Sequence, residues 1–209
     1  MKYNQLLKII AKGESQTLDF KRTISHKYKI AKTLVAFANT RGGRLLVGVS
    51  DDKQILGIDP EEEKFSLDEA ASYLCKPPIQ LEYFEFENKE RKVVLIVKIS
   101  SSNEKPHSAL DKSGNWNVYV RANDKSILAG KQTIKQLDGI GPGSAPKNLT
   151  PNEKKLYAYL KEKERITVKQ FSKLVNISER RAKRNLIDLA NKGFLFLHDF
   201  QKEDFYSLA

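Results

Sequence analysis

Cysteine, methionine and tryptophan each occur once in the 209 residues, and histidine only three times. A lone Cys75 excludes an internal disulfide and any cysteine-rich zinc site. His26, His107 and His198 stand too far apart in sequence to read as a zinc ligand set. No apolar run approaches membrane-spanning length, and the start M-K-Y-N-Q-L-L-K lacks the apolar core of a signal peptide. These absences lead us to expect a cytoplasmic protein without a membrane partner. A phosphate-binding loop is also missing. Gly130-Lys131-Gln132-Thr133 has Lys125 where the motif needs its first glycine and Gln132 where it needs Ser or Thr, so ATP hydrolysis is not expected.

What is abundant is positive charge: 37 Lys and Arg against 26 Asp and Glu, a formal net charge of +11 with pI near 9.5. Clustered cations release counterions from a phosphate backbone, so a polyanionic partner is favoured over a merely solubilising surface. With 40% hydrophobic residues the chain can build one sizeable core and one small one. Acidic charge is scarcest at the beginning, where residues 1–44 hold ten basic side chains against only Glu14 and Asp19.

Residues 13–52 organise the chain. G-E-S-Q-T-L-D-F-K reads as a short strand, with Leu18 and Phe20 turned to a core and Asp19 and Lys21 sharing the opposite face. Ile30, Leu34, Phe37 and Ala38 then fall at the spacing of an amphipathic helix, which Gly42-Gly43 should follow. The continuous apolar run 45–49 reads as a strand buried on both faces, ending in the turn Asp51-Asp52. Before this stretch, Leu6, Leu7 and Ile10 mark a short helix. After it, Asp59-Pro60 is read as the start of an acidic connection, and Ser66 as the cap of a helix through Cys75. Residues 79–87, 93–99 and 116–121 are expected strands, 101–114 a polar loop, and 127–137 a closing helix. The fold class expected is α+β: a mixed-sheet first domain over residues 1–137, a connection at 138–149 rich in glycine and proline, and a smaller domain at 150–209.

That smaller domain opens with the capping box Thr150-Pro-Asn-Glu153. A second helix ends at Val175, Asn176-Ile177-Ser178 is a tight turn, and a third helix should bury Ala182, Leu186, Leu189 and Ala190. Residues from about 194 form a hairpin. Helix, strand, helix, turn, helix, hairpin resembles a winged helix-turn-helix domain. Arg180, Arg181, Lys183, Arg184 and Asn185 would then crowd the exposed N-terminal part of the third helix, the part from which recognition helices contact bases and phosphates.

The motifs G-E-S-x-x-L-D-F-K and A-F-A-N-T-x-G-G-x-L-L-V-G-V-x-D-D, with K-P-H at 105–107 and V-Y-V-R-A-N at 118–123, closely resemble the Schlafen-type AlbA-like domain, also called the divergent AAA domain. The resemblance covers residues 1–137 and implies a nucleic-acid partner: DNA for bacterial members described as DNA-binding proteins or regulators, RNA for the eukaryotic relatives that cleave it. In those RNA-cleaving relatives three acidic residues occupy the positions of Glu14, Asp19 and the acidic turn. Here the second acid is the shorter Asp, and both Asp51 and Asp52 are offered for the third. A Mg²⁺ or Mn²⁺ ion on Glu14, Asp19 and Asp51, with Lys21 beside the developing charge, would make an endoribonuclease. The competing reading leaves Asp19 and Lys21 as an ion pair and Asp51-Asp52 as turn residues. A DNA-binding transcriptional regulator is the preferred expectation over this nuclease, with Arg41, Arg44 and Arg121 as further nucleic-acid contacts; the third reading is a protein-interaction module in which the basicity is incidental. A homo-oligomer is left open.

Overall fold

The computed structural model describes residues 3–139, 149–198 and 204–208. Its architecture is α+β and divides into two compact units, Met1–Ile127 and Leu128–Ala209. The expected connection at 138–149 lies for the most part outside the described residues.

In the first unit, helix α1 (Tyr3–Lys12) leads into strand β1 (Leu18–Lys21), helix α2 (Lys27–Asn39) and strand β2 (Gly43–Val47). β1 and β2 pair in parallel, Asp19 opposite Leu45 and Lys21 opposite Val47, as the crossover through α2 requires. The apolar spacing of α2 predicts one buried stripe. Instead Ile30, Ala31, Leu34, Val35, Phe37 and Ala38 are all buried, because α2 packs against strands of two sheets at once.

Helix α3 (Pro60–Tyr73) starts six residues before the expected cap at Ser66. Asp59 accepts from the Glu61 amide and Pro60 occupies the first helical position, while Glu61, Glu62 and Glu63 face the positive end of the helix dipole. The acidic run is therefore a helix start, not a connection. Strand β3 (Cys75–Lys76) follows, then β4 (Leu81–Glu87) and β5 (Val93–Ile99). The first sheet has the order β1-β2-β5-β4, with both later pairings antiparallel.

Strand β6 (Ser108–Leu110) lies inside the segment expected to be a loop, and β7 (Trp116–Ala122) pairs with it. Asn123, at φ 57°, makes the left-handed turn into β8 (Lys125–Leu128), which replaces the first residues of the expected closing helix. The second sheet runs β3-β6-β7-β8. Buried Asn39 ties α2 to it: the side chain donates to the carbonyls of His107 and Tyr119, each at 2.8 Å, and accepts from the His107 amide at 2.7 Å.

In the second unit α4 (Lys131–Gly139) packs on the later hairpin, Thr133 donating its hydroxyl to the Leu197 carbonyl. α5 (Pro151–Lys163) carries the complete Thr150–Glu153 capping box. β9 (Arg165–Thr167), α6 (Val168–Val175) and α7 (Glu179–Asn191) follow, with Asn176 left-handed at the end of α6 and Ser178 capping α7. β10 (Leu195–His198) and β11 (Phe205–Leu208) form the hairpin, and β9 adds to β11 as a third strand. Leu156, Leu160, Ile166, Phe171, Leu186 and Leu195 anchor this core.

Candidate functional site

Asp19 does not stand free on a charged face; it is 4% exposed, and each of its oxygens accepts from a cation. Arg121 Nη1 donates to Oδ1 at 3.2 Å and Lys21 Nζ to Oδ2 at 2.6 Å. Arg121, expected at a nucleic-acid surface, is instead 1% exposed, so no phosphate reaches it. Its Nη2 donates to the Ser15 carbonyl at 2.9 Å, its Nη1 also reaches the Ser126 hydroxyl, and the guanidinium lies over the Phe37 ring at 4.6 Å. A fork of fixed donors satisfying a carboxylate, a carbonyl and an aromatic face is what an arginine buried between sheets can do and a lysine cannot.

Glu14 is tied to the backbone of β1. Its Oε1 accepts the Phe20 amide at 2.7 Å, closing the free edge of β1. Desolvation of the carboxylate raises its pKa, the Phe20 amide opposes the rise, and the nearby Asp19 charge adds to it. Asp51 and Asp52 are exposed on the turn that the Lys53 amide closes onto the Ser50 carbonyl. The donor set implied by the resemblance does not fit a divalent ion: two cations already neutralise Asp19, and among the described residues no three His, Cys, Asp or Glu side chains converge as a metal site. The structure thus brings Asp19 and Lys21 together with Glu14 nearby, and leaves Asp51 outside that group.

The basic residues form a clearer site. The α2-to-β2 turn is closed by glycines that nothing larger can replace. Gly42 has φ +71° and a Cβ there would lie 2.5 Å from the Ile99 carbonyl oxygen; at Gly43 it would lie 2.4 Å from the Phe37 ring. This close packing sets a cleft of about 540 Å³ whose rim carries Lys12, Arg41, Arg44 and Lys98 together with the hydroxyl residues Ser15 and Thr17. Among the described residues, no carboxylate side chain lines it. Arg41 and Arg44, expected from the sequence as nucleic-acid contacts, both line it. Lys12 and Lys98 join them without having been singled out by the sequence, although Lys98 is the lone charge in the apolar run V-V-L-I-V-K-I.

In the second unit Ala182, Leu186, Leu189 and Ala190 are the buried face of α7, and Arg180, Arg181, Lys183 and Arg184 are exposed, with Asn185 half-buried. Among the described residues no ion pair neutralises these four cations.

Residues 14–130 match the sequence model of the family described as Schlafen, AlbA_2. The chain belongs to the Schlafen AlbA_2 family. The matched segment ends close to the boundary between the two compact units; it contains Glu14, Asp19 and Asp51 and most of the glycine cleft, though not Lys12, and leaves α7 outside. Among solved structures, the DIP2311 protein from Corynebacterium diphtheriae is similar at 18% identity and a TM-score of 0.46, over 68% of this Schlafen AlbA_2 chain and 28% of that one. The N-terminal domain of a RecG-related protein from Nitrosomonas europaea is similar at 20% identity and a TM-score of 0.44, over 70% of this chain and 94% of that domain. No curated protein sequence matches significantly. Among the described residues no helix is long and apolar enough to cross a membrane.

Proposed function

We propose that this Schlafen AlbA_2 protein is a cytoplasmic DNA-binding protein, a transcriptional regulator that holds duplex DNA through a winged helix in its C-terminal domain, 150–209, connected through 138–149 to the family domain. The observation that carries the reading is α7. Four cations without an ion-pair partner among the described residues crowd its first two turns while its opposite face is buried, and Ser178 caps it so that its N-terminal end is well formed. A helix so charged at that end suits the major groove, where side chains near the helix start meet phosphates and base edges. The three-stranded sheet β10-β11-β9 supplies the wing. The basic cleft at Gly42-Gly43 adds a second anion-binding surface, with Arg41 and Arg44 as phosphate contacts. Cleavage of RNA is not favoured by the geometry, since Asp19 is already neutralised by Arg121 and Lys21.

The test is duplex binding by the wild type and by Arg180→Ala/Arg181→Ala/Arg184→Ala across a salt series. The variant should bind more weakly, and its salt slope should fall by about one unit for each phosphate that is no longer neutralised. Unchanged affinity and slope would remove α7 from the interface.

A further inference from the structure

The first sheet is covered unequally on the side that carries α1. Leu6 and Ile10 of α1 pack on Leu18, Phe20, Leu46, Val94 and Ile96, and Tyr3 stacks on Phe86 with ring centroids 5.6 Å apart. The cover stops there. Strand alternation places Arg44, Lys98 and Phe84 on this same face, with Arg44 directly opposite Lys98 and Phe84 directly opposite Ile96. All three are exposed, Phe84 by 53%.

Two features of this uncovered floor are costly for a folded protein on its own. Like charges directly opposite on neighbouring strands repel, and only Glu82, at 2.8 Å from Lys98, offsets the pair among the described residues. A large aromatic side chain sits in water on a flat strand. Both costs vanish if the occupant brings negative charge to Arg44 and Lys98 and a flat apolar ring to Phe84. The two cavities on this face make that arrangement continuous. Arg44 and Lys98 line the cationic cleft of about 540 Å³ and also line the neighbouring cavity of about 480 Å³, whose other walls are Phe84, Phe86, Glu85 and Ile96. Glu85 does not spoil the second cavity for an anion, since its carboxylate is held by Lys64 at 2.6 Å.

We infer that this groove binds a single strand of nucleic acid, with backbone phosphates over Lys12, Arg44 and Lys98 and an unstacked base on Phe84. The inference rests on the reading of the glycine cleft as a nucleic-acid surface and specifies which form it takes. A duplex keeps its bases stacked inward and could use only the cations. A single strand uses both halves, because every base has a face that can stack on an aromatic ring. The N-terminal domain then holds unpaired strand while α7 holds duplex, a division of labour suited to a site where DNA is opened.

The experiment uses the full chain carrying Arg180→Ala/Arg181→Ala/Arg184→Ala, so that α7 contributes little, and follows fluorescence anisotropy of a labelled oligothymidylate, an abasic strand with the same number of phosphates, and a short duplex. Oligothymidylate should bind more tightly than the abasic strand by roughly five- to a hundredfold, the range for one base stacked on an aromatic side chain. Phe84→Ala should abolish that preference and leave abasic binding unchanged; Phe84→Trp should keep it. Arg44→Ala should weaken both strands and lower the salt slope by about one unit. Because Phe84 is exposed, an unchanged melting temperature will show that its variants are folded. Equal binding of the two strands, a preference that survives Phe84→Ala, or a duplex that binds as tightly as oligothymidylate would overturn the single-strand inference while Arg44-dependent binding kept the cleft reading. If no probe binds, or if binding ignores Arg44, the cleft reading falls with it.

Discussion

Arg121 and Asp19 lie 102 positions apart in sequence and meet at 3.2 Å in the interior of the first unit, where the arginine is 1% exposed. The contact joins the edge strand β1 to β7 of the other sheet. Through Nη2 and the Ser15 carbonyl, the same guanidinium also fixes the turn that carries Glu14 to the Phe20 amide. Two motifs that read as catalytic or nucleic-acid-binding in sequence, D-F-K and Y-V-R, are thus two halves of one structural clamp.

Breaking the clamp from one side should be severe. Arg121→Ala leaves a buried carboxylate with only Lys21, which is itself partly exposed, and should destabilise the first unit by about 3 to 5 kcal/mol, the usual range for an orphaned buried charge. Asp19→Leu/Arg121→Met should recover much of that stability. Trp116, the single tryptophan, lies in β7, so urea unfolding followed by its fluorescence reads the first unit. A double variant no better than Arg121→Ala would mean that the arginine acts mainly through Ser15 and Phe37.

Millimolar Mn²⁺ should leave the melting temperature of the wild type and of Asp19→Asn unchanged, since a bound ion stabilises by mass action only where ligands are available. Asp19 is buried and already compensated by two cations, and Asp51 lies outside the group formed by Asp19, Lys21 and Glu14. A rise confined to the wild type, accompanied by Mn²⁺-dependent RNA cleavage, would restore the nuclease reading.

The elements legible in the sequence are those set by local rules. The Thr150–Glu153 capping box, the β-forming run at 93–99 and the glycine stop after α2 all follow from neighbouring residues. What is not legible comes from partners far away in the chain. Asp19 reads as an exposed ligand because nothing near it in sequence says that Arg121 will cover it. Asn39 reads as an unassigned polar residue at a helix end until His107 and Tyr119 supply three backbone groups for it. Phe84 reads as one more hydrophobic position of a strand, and its exposure depends on where α1 stops covering the sheet. The start of α3 is a different case, because D-P-E-E-E contains a cap, a proline and three dipole-matched acids, local signals that together outweigh the single hydroxyl of Ser66.

His198 gives the second unit a built-in acid sensitivity. The ring is 2% exposed, stacks on Phe205 at 4.5 Å, and places Nε2 2.8 Å from the Ser207 hydroxyl. Burial pushes its pKa from the ordinary 6.5 down to about 3, so the folded protein keeps the imidazole neutral where an unfolded chain would protonate it. Between those two values the unfolded state binds more protons, and stability must fall as pH falls; above the upper value it is independent of this group. The slope is about 1.4 kcal/mol per pH unit, which amounts to ~2 kcal/mol by about pH 5. His198→Phe keeps a ring against Phe205 and removes the titration, so the protection factors of amides in β10 and β11, with the pH dependence of intrinsic exchange divided out, should fall on acidification in the wild type and much less in the variant. An equal loss of protection in both would mean that His198 is already protonated in the folded state, or that carboxylates elsewhere set the acid limit of this unit.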